Sequence, residues 1–325
     1  MNTRTMRATL PQVIHKARRR ARRSIVRLRL SLTKANQEQR LDAERQLRGR
    51  EQYDQLQSAD AVIVSYAKSG RTWLRVMISR LYQQVYDLPE DTVIEFDNFH
   101  YIDRRIPRLL FTHDEFIRAY SGNTSTKVDF YDKKVLLMVR DPRDVVVSSF
   151  FHWRFRTQPW KKQLSFYPPH GSDLSMFEFV QDDRSGLRRI INFMNSWAEE
   201  LVNTRAHEIV KYENIRADPV NELARVARFL EIPASAAQIT EAVDYASYEN
   251  MKKKEAEQSF RTSGARLNPG DKSIPDSYKV RRAKVGGYRD YFEDAQIKII
   301  DAIVNESLDP TYGYNQLRLP DIKTE

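Results

Sequence analysis

The chain has 325 residues, 41% of them hydrophobic, with 10 Gly, 13 Pro and no Cys. That composition excludes a wholly disordered chain, a collagen-like repeat, and any core or site built on disulfides or thiolates. The formal net charge of +10 is local: residues 1–50 hold 15 Lys and Arg against 3 Asp and Glu, while the other 275 residues hold 39 against 41, which excludes a generally basic nucleic-acid-binding body and leaves room for a local anion pocket.

Residues 1–57 read as a basic amphipathic helical extension. Leu10, Ile14, Ala17, Ala21, Ile25, Leu28 and Leu32 recur at spacings of three and four, and Lys16, Arg18, Arg19, Arg20, Arg22, Arg23, Arg27 and Arg29 fill the other faces. Three readings fit it: a solvated tail, a contact with an anionic membrane surface through residues 10–32, or a docking element for protein or nucleic acid. Each basic residue near charged lipid would contribute about 1 kcal/mol. No apolar run approaches the roughly 18–20 residues that span a bilayer, and the start lacks an apolar signal-peptide core. A cytoplasmic location is therefore expected, peripheral at a membrane surface if the tail docks there.

The composition changes at Ala61. The run Ala61 to Tyr66 predicts a buried strand, Ala67-Lys-Ser-Gly70 a polar turn, and Leu74, Met77, Ile78, Leu81, Tyr82 and Val85 the core face of a following helix. Further strands are expected at Thr92 to Phe96, Arg108 to Thr112, Lys134 to Arg140 and Glu208 to Tyr212, with helical patterns between several of them. Strands alternating with helices imply an α/β fold with a central, mostly parallel sheet. Residues 154–175 and 252–287 lack periodicity and read as lid or binding loops. The expected division is an extension over 1–57 and one domain over 58–325.

Three segments carry chemistry. At Lys68-Ser-Gly-Arg-Thr72 a strand gives way to a helix whose first N–H groups lack intrahelical partners, so the turn suits a phosphate or sulfate group. Gly70 lets backbone approach closely, Ser69 and Thr72 offer hydroxyls, and Lys68 a point charge. A purely structural turn fits this short segment as well. In Arg140-Asp-Pro-Arg-Asp-Val-Val-Val-Ser148, Pro142 suits a first helical position and Arg140 falls at the carboxyl edge of the sheet, where open α/β sheets bind ligands. Ser148 lies about two turns on; an Arg140 to Asp144 ion pair with a surface serine is the structural alternative. His113, at the end of a short strand, is the histidine best placed for a general base.

In order and spacing, Tyr66-Ala-Lys-Ser-Gly-Arg-Thr-Trp73, Thr112-His113, Arg140 to Ser148, Lys211-Tyr-Glu-Asn214 and Arg281-Arg-Ala-Lys-Val-Gly-Gly287 resemble the cytosolic-type sulfotransferase domain over roughly residues 60–308. The resemblance implies a P-loop-like three-layer fold that binds 3′-phosphoadenosine 5′-phosphosulfate (PAPS) and passes its sulfuryl group to an acceptor hydroxyl or amine, without a metal. It implies catalytic roles for Lys68, His113 and Ser148. Lys68, Ser69, Gly70, Arg71, Thr72 and Trp73 would surround the 5′-phosphosulfate and the adenine edge. Arg140 and Ser148 would meet the 3′-phosphate, with Arg281 and Arg282 closing on it and Tyr212 and Tyr248 near the nucleotide. The acceptor would be a small molecule, lipid or carbohydrate.

The sequence departs from the family pattern at several positions. Arg71 stands where a second threonine is usual, Phe111 replaces a lysine, Ala283 a lid glycine and Tyr288 a tryptophan; Glu293-Asp294 and Lys298 alter the short dimer motif, so an oligomer is not implied. Trp153, Phe155, Trp160, Phe166 and Tyr167 fit either an acceptor pocket or core and lid packing. Two other function classes fit part of the pattern. A P-loop nucleotide kinase would need Walker A and a magnesium-binding acidic strand end, which are absent from the sequence; a non-catalytic nucleotide-binding protein could dock through the basic tail.

Overall fold

The computed structural model describes residues 35–260 and 267–315, with scattered positions between 21 and 33. Among the described residues four strands, β1 (Ala61–Ser65), β2 (Leu109–Thr112), β3 (Lys134–Val139) and β4 (Ala206–Lys211), form one parallel sheet in the order β2-β1-β3-β4. The register pairs Val64 with Thr112, Ser65 with Met138 and Val139 with Lys211, so all four strands end along one edge.

Period-two alternation splits the strands between two cores. Val62, Val64, Val135, Leu137 and Val139 face one layer, which packs on α5 (Pro142–Phe155), α8 (Leu187–Glu200) and α13 (Asp294–Ser307). Ala61, Ile63, Leu136 and Met138 face the other, built from α2 (Arg71–Tyr86), α10 (Pro219–Phe229) and α11 (Ala236–Tyr245). Burial on both faces explains the continuous apolar runs and gives the expected three-layer α/β architecture. Among the described residues no helix is long and apolar enough to cross a membrane.

Three expectations are corrected. Thr92 to Phe96 is not a strand: Ile94 N–H donates to the Ser79 hydroxyl, and the Gln83 amide donates to the Thr92 carbonyl. Helical side chains thus satisfy this buried backbone in place of a neighbouring strand. Residues 154–175 contain a short helix, α6 (Pro159–Leu164), and residues 252–257 complete α12 (Tyr248–Glu257), so neither stretch is loop throughout.

Before β1 lies α1 (Gln37–Gln57), opened by a capping box between Asn36 and Gln39. It packs on α4 (Glu115–Ser121) at very short range: a Cβ on Gly49 would sit 2.1 Å from the Phe116 carbonyl oxygen. Leu47 and Leu56 are buried beneath it. Leu10, Ile14, Ala17 and the basic positions 16, 18–20, 22, 23, 27 and 29 lie outside the described residues. At described positions between 21 and 32 the backbone is helical, with Ile25, Leu28 and Leu32 exposed at 66%, 62% and 75%.

Candidate active site

Each chemical motif begins where a strand stops. The loop after β1 carries Lys68 and Gly70, Thr112 of β2 is followed by His113, Val139 of β3 by Arg140, and Lys211 of β4 by Tyr212. Because the sheet is parallel, these four turns meet at its carboxyl edge and wall a cavity of about 560 Å³. Among the described residues ten Lys and Arg line it against one acid, Asp144.

Backbone conformation shapes the turn after β1. Lys68 (φ 74°) and Gly70 (φ 95°) are left-handed, so successive N–H groups turn toward one side as an anion nest. Gly70 is also sterically required, because a Cβ there would lie 2.6 Å from Tyr212 and 2.8 Å from Met138. Thr72 and Trp73 line the cavity, while Ser69 is buried off its wall. The Trp73 indole donates to the Ala246 carbonyl (2.7 Å), and its ring meets Tyr212 edge-on at 5.8 Å.

At the end of β3, Asp141 caps α5 by accepting from Arg143 N–H, with Pro142 in the first turn as expected. Arg140 stacks on the Tyr212 ring at 4.3 Å and donates to Asp144 (3.3 Å) and the Lys284 carbonyl (3.2 Å). Its ion pair with Asp144 and its place on the cavity wall therefore coexist. Ser148 reaches the same wall from α5. Beneath the motif, buried Arg143 binds Asp141 and Asp301, and Asp301 also accepts from the Tyr288 hydroxyl at 2.7 Å.

His113 is held by two contacts. Its Nδ1 lies 2.6 Å from the Ser65 carbonyl and its Nε2 2.7 Å from Arg71 Nη2. A carbonyl can only accept and a guanidinium only donate, so Nδ1 carries the proton and Nε2 presents its lone pair. Burial and then the Arg71 charge lower the His113 pKa well below the ordinary histidine value. The following Asp114 fixes the turn through a buried ion pair with Lys127 at 2.7 Å.

The lid side brings in Tyr248, Arg281 and Arg282. The Tyr248 hydroxyl donates to the Arg281 carbonyl (2.6 Å), and the Arg281 guanidinium lies 3.6 Å over the Phe151 ring. Arg282 is half-exposed and pairs with Asp290 at 2.6 Å. Ala283, in place of the usual lid glycine, holds the left-handed φ of 50° that a glycine would take without strain.

Several cavity residues escaped the sequence reading. Lys279 and Arg156 line the wall, and Lys279 donates to the Thr72 hydroxyl. Buried Glu255 binds Arg156 (3.0 Å) and accepts from the backbone N–H groups of Lys279 and Val280. His152 also faces the cavity. Lys68 has its pKa pushed down to about 7, first by desolvation and then by Arg156, Arg281 and Arg140. The five aromatics of 153–167 do not line this cavity; Trp153 and Tyr167 stack on Phe179 inside the core. Among the described residues no group of three His, Asp or Glu is placed to hold a metal ion.

The model of the family described as "Sulfotransferase domain" matches residues 58–311. The chain belongs to the sulfotransferase family. Among its relatives, cytosolic sulfotransferase 7 of Arabidopsis thaliana is 25% identical over 288 residues, covering 78% of this chain and 80% of the relative. Flavonol 4′-sulfotransferase of Flaveria chlorifolia is 24% identical, with 78% and 80% covered. The crystal structure of mouse sulfotransferase SULT7A1 complexed with PAP superimposes with a TM-score of 0.53 at 22% identity, over 81% of this chain and 91% of that one. The sulfotransferase fold expected from the motifs is thus borne out.

Proposed function

We propose that this sulfotransferase uses PAPS as donor, with His113 as general base and Lys68 beside the leaving phosphate. The observation that carries the reading is the imbalance of the cavity, ten Lys and Arg against one acid among the described residues, at the carboxyl edge of a sulfotransferase sheet. The residues fit such a polyanion. Desolvation and then neighbouring cations lower the Lys68 pKa, Arg140 Nε is buried without a hydrogen-bond partner among the described residues, and aromatic rings of Trp73 and Tyr212 border the same space. The SULT7A1 structure of this fold is a complex with PAP.

PAPS would supply the sulfuryl group, its sulfur–oxygen bond to the 5′-phosphate breaking as one to the acceptor oxygen or nitrogen forms and adenosine 3′,5′-bisphosphate (PAP) leaves. His113 Nε2 takes the acceptor proton while Ser65 holds Nδ1–H in place, a contribution of about 10²- to 10⁴-fold. Lys68 and the N–H groups of the left-handed turn offset charge on the departing phosphate oxygen. Gly70, Thr72 and Trp73 shape that end of the site, with Ser69 supporting the turn from behind. Arg140, Ser148, Arg281 and Arg282 are assigned to the 3′-phosphate, Tyr212 and Tyr248 to the nucleotide.

Residues 58–325 are proposed as the catalytic domain, braced by α1, and residues 1–57 as the extension. The proposed setting is cytoplasmic, with exposed Ile25, Leu28 and Leu32 touching an anionic membrane surface; deletion of residues 1–50 should abolish liposome binding, and unchanged binding refutes that contact. The acceptor is proposed to be a small hydroxyl or amine compound. Transfer of radiolabelled sulfate from PAPS across phenols, sterols, glycolipids and sugars tests the function. His113→Ala and Lys68→Ala should each lower turnover at least tenfold, and near-normal rates would remove those roles.

A further inference from the structure

A general base must offer a lone pair, and the one available pair on His113 is taken. Ser65 fixes the proton on Nδ1 at 2.6 Å, and the Arg71 guanidinium donates to Nε2 at 2.7 Å. An acceptor hydroxyl cannot hand its proton to Nε2 while that donor occupies it. Arg71 is the first residue of α2, next to left-handed Gly70, and it lines the cationic cavity between the anion nest and the base. Its side chain therefore stands between two competing acceptors, a neutral imidazole and a sulfuryl group carried on a phosphate seated in the nest. A guanidinium forms its stronger hydrogen bonds with anionic oxygens, where both partners are charged.

We propose that Arg71 is a latch on His113, capping Nε2 in the donor-free site and leaving it for the sulfuryl oxygens when PAPS is bound. Arg71 is then a positioning residue: it exposes the base only when the group to be transferred is present, which imposes donor before acceptor. The proposal rests on the PAPS reading above. It assigns the departure from the usual threonine at this position a role in the order of binding.

The test is nitrogen-15 NMR of the full-length protein labelled at histidine, with His113 identified by the signals lost in His113→Gln. An unprotonated imidazole nitrogen moves to higher frequency when it loses a hydrogen-bond donor and to lower frequency when it is protonated. PAP, which lacks the sulfuryl group, should leave His113 Nε2 at its free-protein position, and PAPS should move it to higher frequency. Arg71→Ala should show the higher-frequency position with or without nucleotide; the wild-type comparison stands alone if that variant does not fold. An unchanged Nε2 signal with PAPS shown by calorimetry to be bound overturns the latch, as does a shift to lower frequency or an equal response to PAP. Failure of PAPS to bind at all overturns the donor assignment, and the latch with it.

Discussion

Binding of PAP at pH 8 should draw about one proton from solution onto Lys68. Burial of the Lys68 amine, and then the charges of Arg156, Arg281 and Arg140 beside it, lower its pKa from 10.5 to about 7. The free protein therefore holds the amine about half deprotonated at pH 7 and about 90% deprotonated at pH 8. A phosphate group beside the amine restores the charged form, so uptake rises from about 0.1 proton at pH 6 to about 0.9 at pH 8. Ligand protons do not obscure the count at pH 8, because phosphate monoesters, with a second pKa of about 6, are already dianionic. Lys279 is depressed in the same direction and can only add to the uptake. Between pH 7 and the pKa in the complex, Kd should rise by up to about tenfold per pH unit. Calorimetry in two buffers of different ionisation enthalpy counts the protons directly, and Lys68→Met should remove about one. Binding at pH 8 without proton uptake would refute this electrostatic account. The same depression sets the sign for folding without ligand: from pH about 7 to 10.5 the unfolded chain binds more protons at this residue, so unfolding free energy rises with pH across that window.

Other perturbations test the scaffold. Gly70→Ala places a Cβ 2.6 Å from Tyr212 at a φ of 95°, so it should cost about 1–3 kcal/mol in urea unfolding and abolish PAP binding in calorimetry. Ala283→Gly relieves a left-handed alanine and should raise unfolding free energy by about 1 kcal/mol. Asp301→Ala takes one of two carboxylates from buried Arg143. It should cost about 3 kcal/mol in the same assay, at the low end for a broken buried pair because Asp141 stays.

The parts of the fold that could be read in advance are those in which local pattern and tertiary environment coincide. β1 and β3 are buried on both faces, so apolar runs mark them, and Gly70 and Pro142 punctuate the turns that follow. Thr92 to Phe96 misled because an apolar alternation records burial, not the partner; here the partners are Ser79 and Gln83 on a helix. Lys68, His113 and Arg140 were legible because each sits just past a strand end. Lys279, Arg156 and Glu255 were not, since they come from aperiodic stretches joined only in three dimensions. Their one signal was that all three fall within 154–175 and 252–287, the stretches read as lid or binding loops. The Arg71 to His113 contact spans 42 positions and has no counterpart in local spacing.

The family match begins at residue 58, but the mechanical support of the site begins earlier. α1 touches α4 almost backbone to backbone at Gly49, and α4 starts two residues after His113. The Gln52 side chain accepts from the Thr112 hydroxyl at 2.8 Å, and that hydroxyl accepts from Asp114 N–H at 2.9 Å. The imidazole thus hangs from a turn clamped on one side by a helix outside the family boundary. A fragment cut at that boundary would keep every residue lining the cavity and lose the beam under its base.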